Sequence, residues 1–281
     1  MIYFPSLGVL GRLGNQLFQY AAGRSLALHH NTELCVSNLD SLEWHGQKCL
    51  LNNFNINVSA IEKDSVCQHI YKEADSFEIN EDFFNTPDDT LLEGFFQSTI
   101  YFEKYKETIK KELTPKNLTS NLIDSIRSSI QKPLVAIHVR RGDNVDFTDM
   151  GQHRLRDAFS IDGIYSTYIK NAIKMFPNHH FVVFSGGKRG VEDNTDDINW
   201  CKQFFQEDNF SFSENNSAME DFCSIMLCDH NIISHVSSFG WWAAYLNQNN
   251  NKVVVAPKNY HPDRSDYTFR KGFYPEDWRL L

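Results

Sequence analysis

The densest chemistry in the chain lies in His138-Val139-Arg140-Arg141-Gly142-Asp143, which continue directly from the apolar run Leu134-Val135-Ala136-Ile137. A strand of that composition is buried, and ligands of open α/β sheets bind beyond the carboxyl ends of such strands. Two guanidinium groups emerging there stay charged and match phosphate oxygens with two parallel hydrogen bonds. Gly142 lets the backbone approach a ligand closely. Asp143 either orients an arginine or serves as a base. A structural ion pair in the turn is the plainer reading of the same residues.

A second feature is Gly8-Val9-Leu10-Gly11-Arg12-Leu13-Gly14-Asn15-Gln16, at a junction expected to run from strand to helix. Its glycines permit a tight turn, and a helix N-terminus carries N–H groups and partial positive charge suited to an anion. The spacing is G-x-x-G-x-x-G, which departs from the dinucleotide fingerprint G-x-G-x-x-G. That spacing and the twin arginines count against a nicotinamide-dependent oxidoreductase. A turn shaped only for helix packing also fits.

The third feature is Ser237-Ser238-Phe239-Gly240-Trp241-Trp242, where small hydroxyl residues open an apolar helix. Serine at the N-cap, with first-turn N–H groups behind it, makes another anion site or simply caps a core helix. Upstream, Asp221 lies on the expected helix of Met219, Phe222, Ile225 and Met226. Its carboxylate could accept from the N1–H and N2–H₂ of a guanine, and a surface acid explains it equally well. No D-x-D occurs anywhere, so no carboxylate pair is spaced to hold a divalent ion against a diphosphate. The expectation is a site without metal or cofactor. The adjacent pairs His29-His30 and His179-His180 cannot both face one metal and are expected at the surface.

These residues need elements to position them. Ile2–Leu10, the helical pattern from Leu13 to Leu28, and Glu33–Val36 read as a β-α-β unit. Residues 40–90 carry little periodicity. After Lys132-Pro133 the chain alternates apolar runs at 134–139, 181–184, 231–233 and 253–255 with helical patterns at 164–176, 217–228 and 239–246. Such alternation implies parallel sheets covered on both faces. The expected class is α/β, in two domains: 1–131 and 132–281.

Bulk composition narrows the function classes. Among 281 residues, 41% are hydrophobic, enough for two cores, and the net charge is −9 with no block of Lys and Arg. A nucleic-acid binder needs a basic stripe, so that class is set aside. No window reaches the roughly 20 apolar residues of a membrane span, and no secretory leader is visible. The six cysteines are scattered without C-x-x-C and read as reduced thiols. The expected location is cytoplasmic, with peripheral membrane contact and oligomeric state left open.

Taken together, Gly11-Arg12-Leu13-Gly14-Asn15-Gln16-Leu17-Phe18-Gln19-Tyr20-Ala21, His138–Asp143 and Ser237–Leu246 resemble the blocks of the α-1,2-fucosyltransferase family. The middle block looks like the H-x-R-R-x-D donor motif. Lesser echoes are Glu93-Gly94-Phe95-Phe96-Gln97-Ser98, Asn199-Trp200-Cys201-Lys202 and Phe273-Tyr274-Pro275-Glu276-Asp277-Trp278. The resemblance implies a GT-B-like fold of two Rossmann-like domains, the donor in the second and the acceptor mainly on the first. It implies GDP-β-L-fucose as donor, a galactoside or other glycan as acceptor, and inversion to an α-1,2 linkage without metal. By motif, Arg140 would clamp the β-phosphate with Arg141 and His138 beside it. Ser237 and Ser238 would cap the diphosphate, Phe239 would also line the donor, Asp221 would read guanine, and Asn15 and Gln16 would reach the donor from the other domain. For the base, Asp143, Asp146, Asp149 and Glu93 stand as equals. Departures are Gly186–Asp197, which looks inserted, His235-Val236 before the serine cap, and Gly240 in place of a frequent serine. A transferase of another nucleotide sugar and a non-catalytic glycan- or nucleotide-binding protein remain alternatives.

Overall fold

The computed structural model describes residues 1–62, 67–74, 81–142, 145, 163–187, 193–234, 237–258 and 272–281. Two compact units form, Met1–Asn117 with Phe269–Glu276, and Leu118–Thr268 with Asp277–Leu281. Asp143, Asp146 and Asp149 lie outside the described residues, as do 188–192 within the expected insertion.

The first unit holds β1 (Ile2–Phe4), α1 (Leu13–His29), β2 (Leu34–Val36), a two-stranded ribbon of β3 (Glu43–Trp44) and β4 (Gln47–Lys48), β5 (Ser59–Ala60), β6 (His69–Lys72), β7 (Thr90–Glu93) and α2 (Lys106–Glu112). Its sheet is parallel in the order β5-β2-β1-β7-β6. Helix α1 is buried along nearly its whole length. Gly23 lets it settle on the sheet, since a Cβ there would meet Leu34 Cδ1 at 2.9 Å and Phe4 Cδ1 at 3.2 Å. Arg24 then grips Glu112 of α2 through Nε and Nη2 at 3.0–3.1 Å, and Tyr20 donates to the same carboxylate at 2.6 Å. A buried charge pair with its remaining lone pairs satisfied fixes one arrangement of the two helices.

The second unit begins with α3 (Asn121–Ser129), followed by β8 (Leu134–Val139), α4 (Ile164–Ile173), β9 (His180–Ser185), α5 (Thr195–Phe204), β10 (Phe210–Phe212), α6 (Ala218–Leu227), β11 (His230–Ile232), α7 (Ser238–Leu246), β12 (Val254–Ala256) and β13 (Arg279–Leu280). The helix α3 precedes the Lys132-Pro133 punctuation yet packs here. Ser120 caps it and shares a 2.7 Å hydrogen bond with Ser224, while Arg127 donates to the Leu227 carbonyl at 3.0 Å. The sheet is parallel in the order β10-β9-β8-β11-β12-β13. Every residue of β8 and β9 is buried, as strands covered on both faces require. His180 starts β9, bonds Ser211 Oγ at 2.8 Å and is buried, which corrects its expected surface position. The Tyr168 hydroxyl bridges the Ile233 and Val255 carbonyls at 2.9 Å each, tying the end of β11 to the middle of β12.

Candidate functional site

From β8 the chain runs through α4 to β9 on one side, and from β11 through α7 to β12 on the other. The sheet therefore changes direction between β8 and β11, and the crevice beyond their carboxyl ends is where such sheets take ligands. Arg140 leaves β8 at this point, and α7 begins above β11.

Arg140 Nη1 donates to the carbonyls of Gly186 at 3.2 Å and Gly187 at 2.9 Å, just past β9. Both glycines have positive φ, +138° and +95°, which turns their carbonyls toward the guanidinium. Arg141 faces elsewhere. Its Nε lies 3.3 Å from Asp197 Oδ1 in a largely buried ion pair, and its guanidinium carbon sits 4.1 Å from the centre of the Trp200 ring. The other oxygen of Asp197 accepts from the Gly142 N–H at 3.1 Å. One carboxylate in the first turn of α5 thus ties down both the second arginine and the turn that follows it. The helical spacing of Asp197 and Trp200 places them on one face and was the available sequence signal. It had no partner to point to until α5 and β8 were side by side.

His138 is buried, and its titration is displaced down to about 3 by burial, with the charge of Arg140 adding to the effect. In the free protein it is therefore neutral at ordinary pH. Its Nδ1 is buried and has no hydrogen-bond partner among the described residues. The ring lies 5.7 Å from Phe239, and a Cβ on Gly240 would come within 2.8 Å of Nδ1. Glycine at 240 is what allows α7 to start against this ring. Ser237 caps the helix by accepting from the Gly240 N–H at 3.3 Å, so its hydroxyl serves the helix. Ser238 and Phe239 form the first turn, and Phe239 also packs edge-on against Phe222 at 5.3 Å.

Asp221 stands one residue before Phe222, near the start of α6. Its carboxylate accepts from the Ser213 hydroxyl at the end of β10, which in turn accepts from Asn216 Nδ2 at 2.7 Å. Burial pushes its titration up to about 7; the bonds from Ser213 and Asn216 oppose the shift and neighbouring Glu220 adds to it. Asn194 donates to the carbonyls of Ser185 at 3.1 Å and Ser213 at 3.3 Å, holding the ends of β9 and β10 together. The structure thus gathers His138, Arg140, Ser237, Ser238, Phe239 and Asp221 around one end of the second sheet.

Asn15 and Gln16 belong to the first unit. Gln16 is buried with its amide committed to the fold, donating to the Gly11 carbonyl at 3.2 Å and accepting from the Leu50 N–H at 3.2 Å. Asn15 Oδ1 accepts from Gln97 Nε2 at 2.7 Å, and Gly11 has φ +87° with no room for a side chain against Asn15. Glu93 forms an exposed pair with Lys72 at 3.0 Å. Among the described residues, no group of three or more His, Cys, Asp or Glu is placed to hold a metal ion. No helix among them is long and apolar enough to cross a membrane.

Comparison with known proteins places this geometry. Glycosyl transferase family 11 matches residues 6–280. The chain is 29% identical to the alpha-1,2-colitosyltransferase of Escherichia coli, over 88% of this chain and 89% of that protein. It is 26% identical to the human galactoside alpha-(1,2)-fucosyltransferase 1, over 84% of this chain and 63% of that longer protein. In structure it resembles a mutant of Arabidopsis thaliana FUT1 in complex with GDP, at a TM-score of 0.52 and 13% identity, covering 98% of this chain and 74% of the other. It also resembles the fucosyltransferase NodZ from Bradyrhizobium, at a TM-score of 0.52 and 12% identity, covering 87% and 93% of the two chains. The fold is of the GT-B type expected from the sequence, built of two Rossmann-like α/β units with parallel sheets. The chain belongs to glycosyl transferase family 11 and is a glycosyltransferase related to the α-1,2-fucosyl- and colitosyltransferases.

Proposed function

We propose that the enzyme transfers L-fucose from GDP-β-L-fucose to a galactoside hydroxyl, forming an α-1,2 linkage with inversion and without a metal ion. The observation that carries this reading is that Arg140 and the serine-capped start of α7 follow the two adjacent strands, β8 and β11, between which the second sheet changes direction. A leaving diphosphate needs positive charge as its bond to the sugar lengthens. Arg140, preset by the Gly186 and Gly187 carbonyls, and the N-terminal turn of α7 supply it from fixed positions. Asp221, once ionised, accepts from the guanine edge. Arg141 acts indirectly, by fixing the turn at Gly142 through Asp197.

The acceptor hydroxyl must lose its proton as it attacks the anomeric carbon. Glu93, Asp143, Asp146 and Asp149 are the carboxylates for that task. A second reading, favoured by the colitosyltransferase relative, changes only the sugar: colitose is fucose lacking the 3-hydroxyl, and the nucleotide contacts would be the same.

The test is a panel of nucleotide sugars offered with simple β-galactosides, with released nucleotide as readout. GDP-fucose should be consumed and a fucosyl-α-1,2-galactoside formed. Arg140→Lys, which loses the fork, should lower kcat about 10²–10³-fold. Consumption of a UDP- or TDP-sugar in place of GDP-fucose defeats the reading, and near-full turnover by Arg140→Lys defeats the clamp.

A further inference from the structure

In the first sheet, sequence order breaks between the central strands β1 and β7, so the carboxyl ends of these two strands frame that unit's own crevice. Two segments meet there. Gln19 Nε2 donates to the Leu10 carbonyl at 3.2 Å and to the Gly94 carbonyl at 3.3 Å, which sets the turn after β1 beside the turn after β7. Three large apolar side chains stand exposed on these turns: Val9 at 37%, Leu10 at 40% and Phe95 at 39%.

The turn after β7 is built at a conformational cost. Phe96 has φ +53°, a region bulky side chains avoid, and Gly94 has φ +153°. Glu73, just past β6, holds this backbone through one carboxylate oxygen, which accepts from the N–H groups of Phe95 at 2.8 Å and Phe96 at 2.9 Å. The consequence is a division of neighbours. Phe96 is driven into the core against Phe4 and Tyr101, and Phe95 is turned out to solvent. Gln97 is then fixed by its 2.7 Å bond to Asn15. Backbone strain of this sort persists where the surroundings over-determine it, and it concentrates at ligand sites.

We infer that the Gly94–Gln97 turn is a carbohydrate-stacking subsite that receives the acceptor sugar, with Phe95 as its platform and Gln97 reading a hydroxyl. This rests on the glycosyl-transfer reading above. A pyranose presents a face of C–H groups ringed by hydroxyls. The C–H face covers an aromatic ring and its apolar neighbours, while hydroxyls bond to amides at the rim. The turn Gly94-Phe95-Phe96-Gln97-Ser98 holds no cation and abuts the Glu73 carboxylate, so it suits a neutral sugar and repels a phosphate. Glu73 is a positioning residue: it aims Phe95 and touches no substrate.

The test varies lactose at saturating GDP-fucose, and GDP-fucose at saturating lactose. Phe95→Ala should raise the KM for lactose about tenfold and leave that for GDP-fucose within about twofold, and Phe95→Trp should restore it. Glu73→Ala should raise the lactose KM as well. Glu73→Gln, whose amide oxygen still accepts from both N–H groups, should not. An unchanged lactose KM in Phe95→Ala overturns the subsite, as does a parallel rise in both constants. Thermal protection of the parent enzyme by GDP is read alongside. If GDP gives none and no GDP-sugar is consumed, the functional reading itself fails and the subsite falls with it; intact donor use with an unchanged lactose KM defeats the subsite alone.

Discussion

Arg140 and Arg141 are neighbours in the chain and strangers in space. At the end of an extended strand successive side chains point to opposite sides. One guanidinium therefore meets the Gly186 and Gly187 carbonyls, and the other meets Asp197 and Trp200. Because the Arg141–Asp197 pair is largely buried, removing one charge strands the other. Asp197→Asn should lower unfolding stability by about 3 kcal/mol, read by urea denaturation. It should also weaken GDP binding, since the turn at Gly142 loses its anchor. A variant of parental stability would show the pair to be dispensable. The motif put both arginines at a strand exit, but its residue types did not show that the second would be held by an ion pair. That pair depends on Asp197, which lies over fifty positions away in sequence.

At the level of elements, α7 is the part whose start matters most. Ser237 caps it, Gly240 leaves space for His138, and the remainder is buried on all sides. Gly240→Ala would place a methyl 2.8 Å from His138 Nδ1 and 3.0 Å from Cγ, in a region with little room to give. Overpacking of this sort costs about 1–3 kcal/mol. The variant should unfold earlier in urea and bind GDP less tightly, because helix start and ring must separate. Unchanged values would mean the ring relaxes freely. The long apolar strands β8 and β9 and the capped helices were legible because their periodicity extends over several residues. Strands β5, β6, β10 and β13 were not, being two to four residues long and formed only by pairing with a neighbour already in place. The aromatic turn at 94–97 was visible as letters, but its positive φ values and the Glu73 clasp were not.

Proton linkage belongs to the molecule as a whole. Folding holds His138 at about 3 and Asp221 at about 7, whereas unfolded they titrate near 6.5 and 3.9. As pH falls from about 6.5 toward 4, unfolding takes up a proton at the histidine and releases one at the aspartate, so the two slopes oppose each other. Asp221→Asn removes the release. Relative to the parent, that variant should lose up to about 1.4 kcal/mol of stability per pH unit on acidification through this window, read by urea denaturation between about pH 7.5 and 5. Parallel pH curves for the two proteins would refute the opposition. If Asp221 reads guanine, it must be ionised to do so, and GDP affinity should weaken as pH drops below about 7.

The sequence by itself determined the α/β class, the strand exit bearing two arginines, and the serine-capped helix, because composition and periodicity act within a few residues of themselves. Tertiary structure alone decided what those residues touch. It put Asp197 under Arg141, set the ring of His138 against Gly240, and turned Phe95 outward while Phe96 went in. Each of these outcomes requires segments remote in sequence to be brought within hydrogen-bonding or van der Waals range. Close packing, which has no counterpart in a local pattern, selects among the partners the chain could have offered.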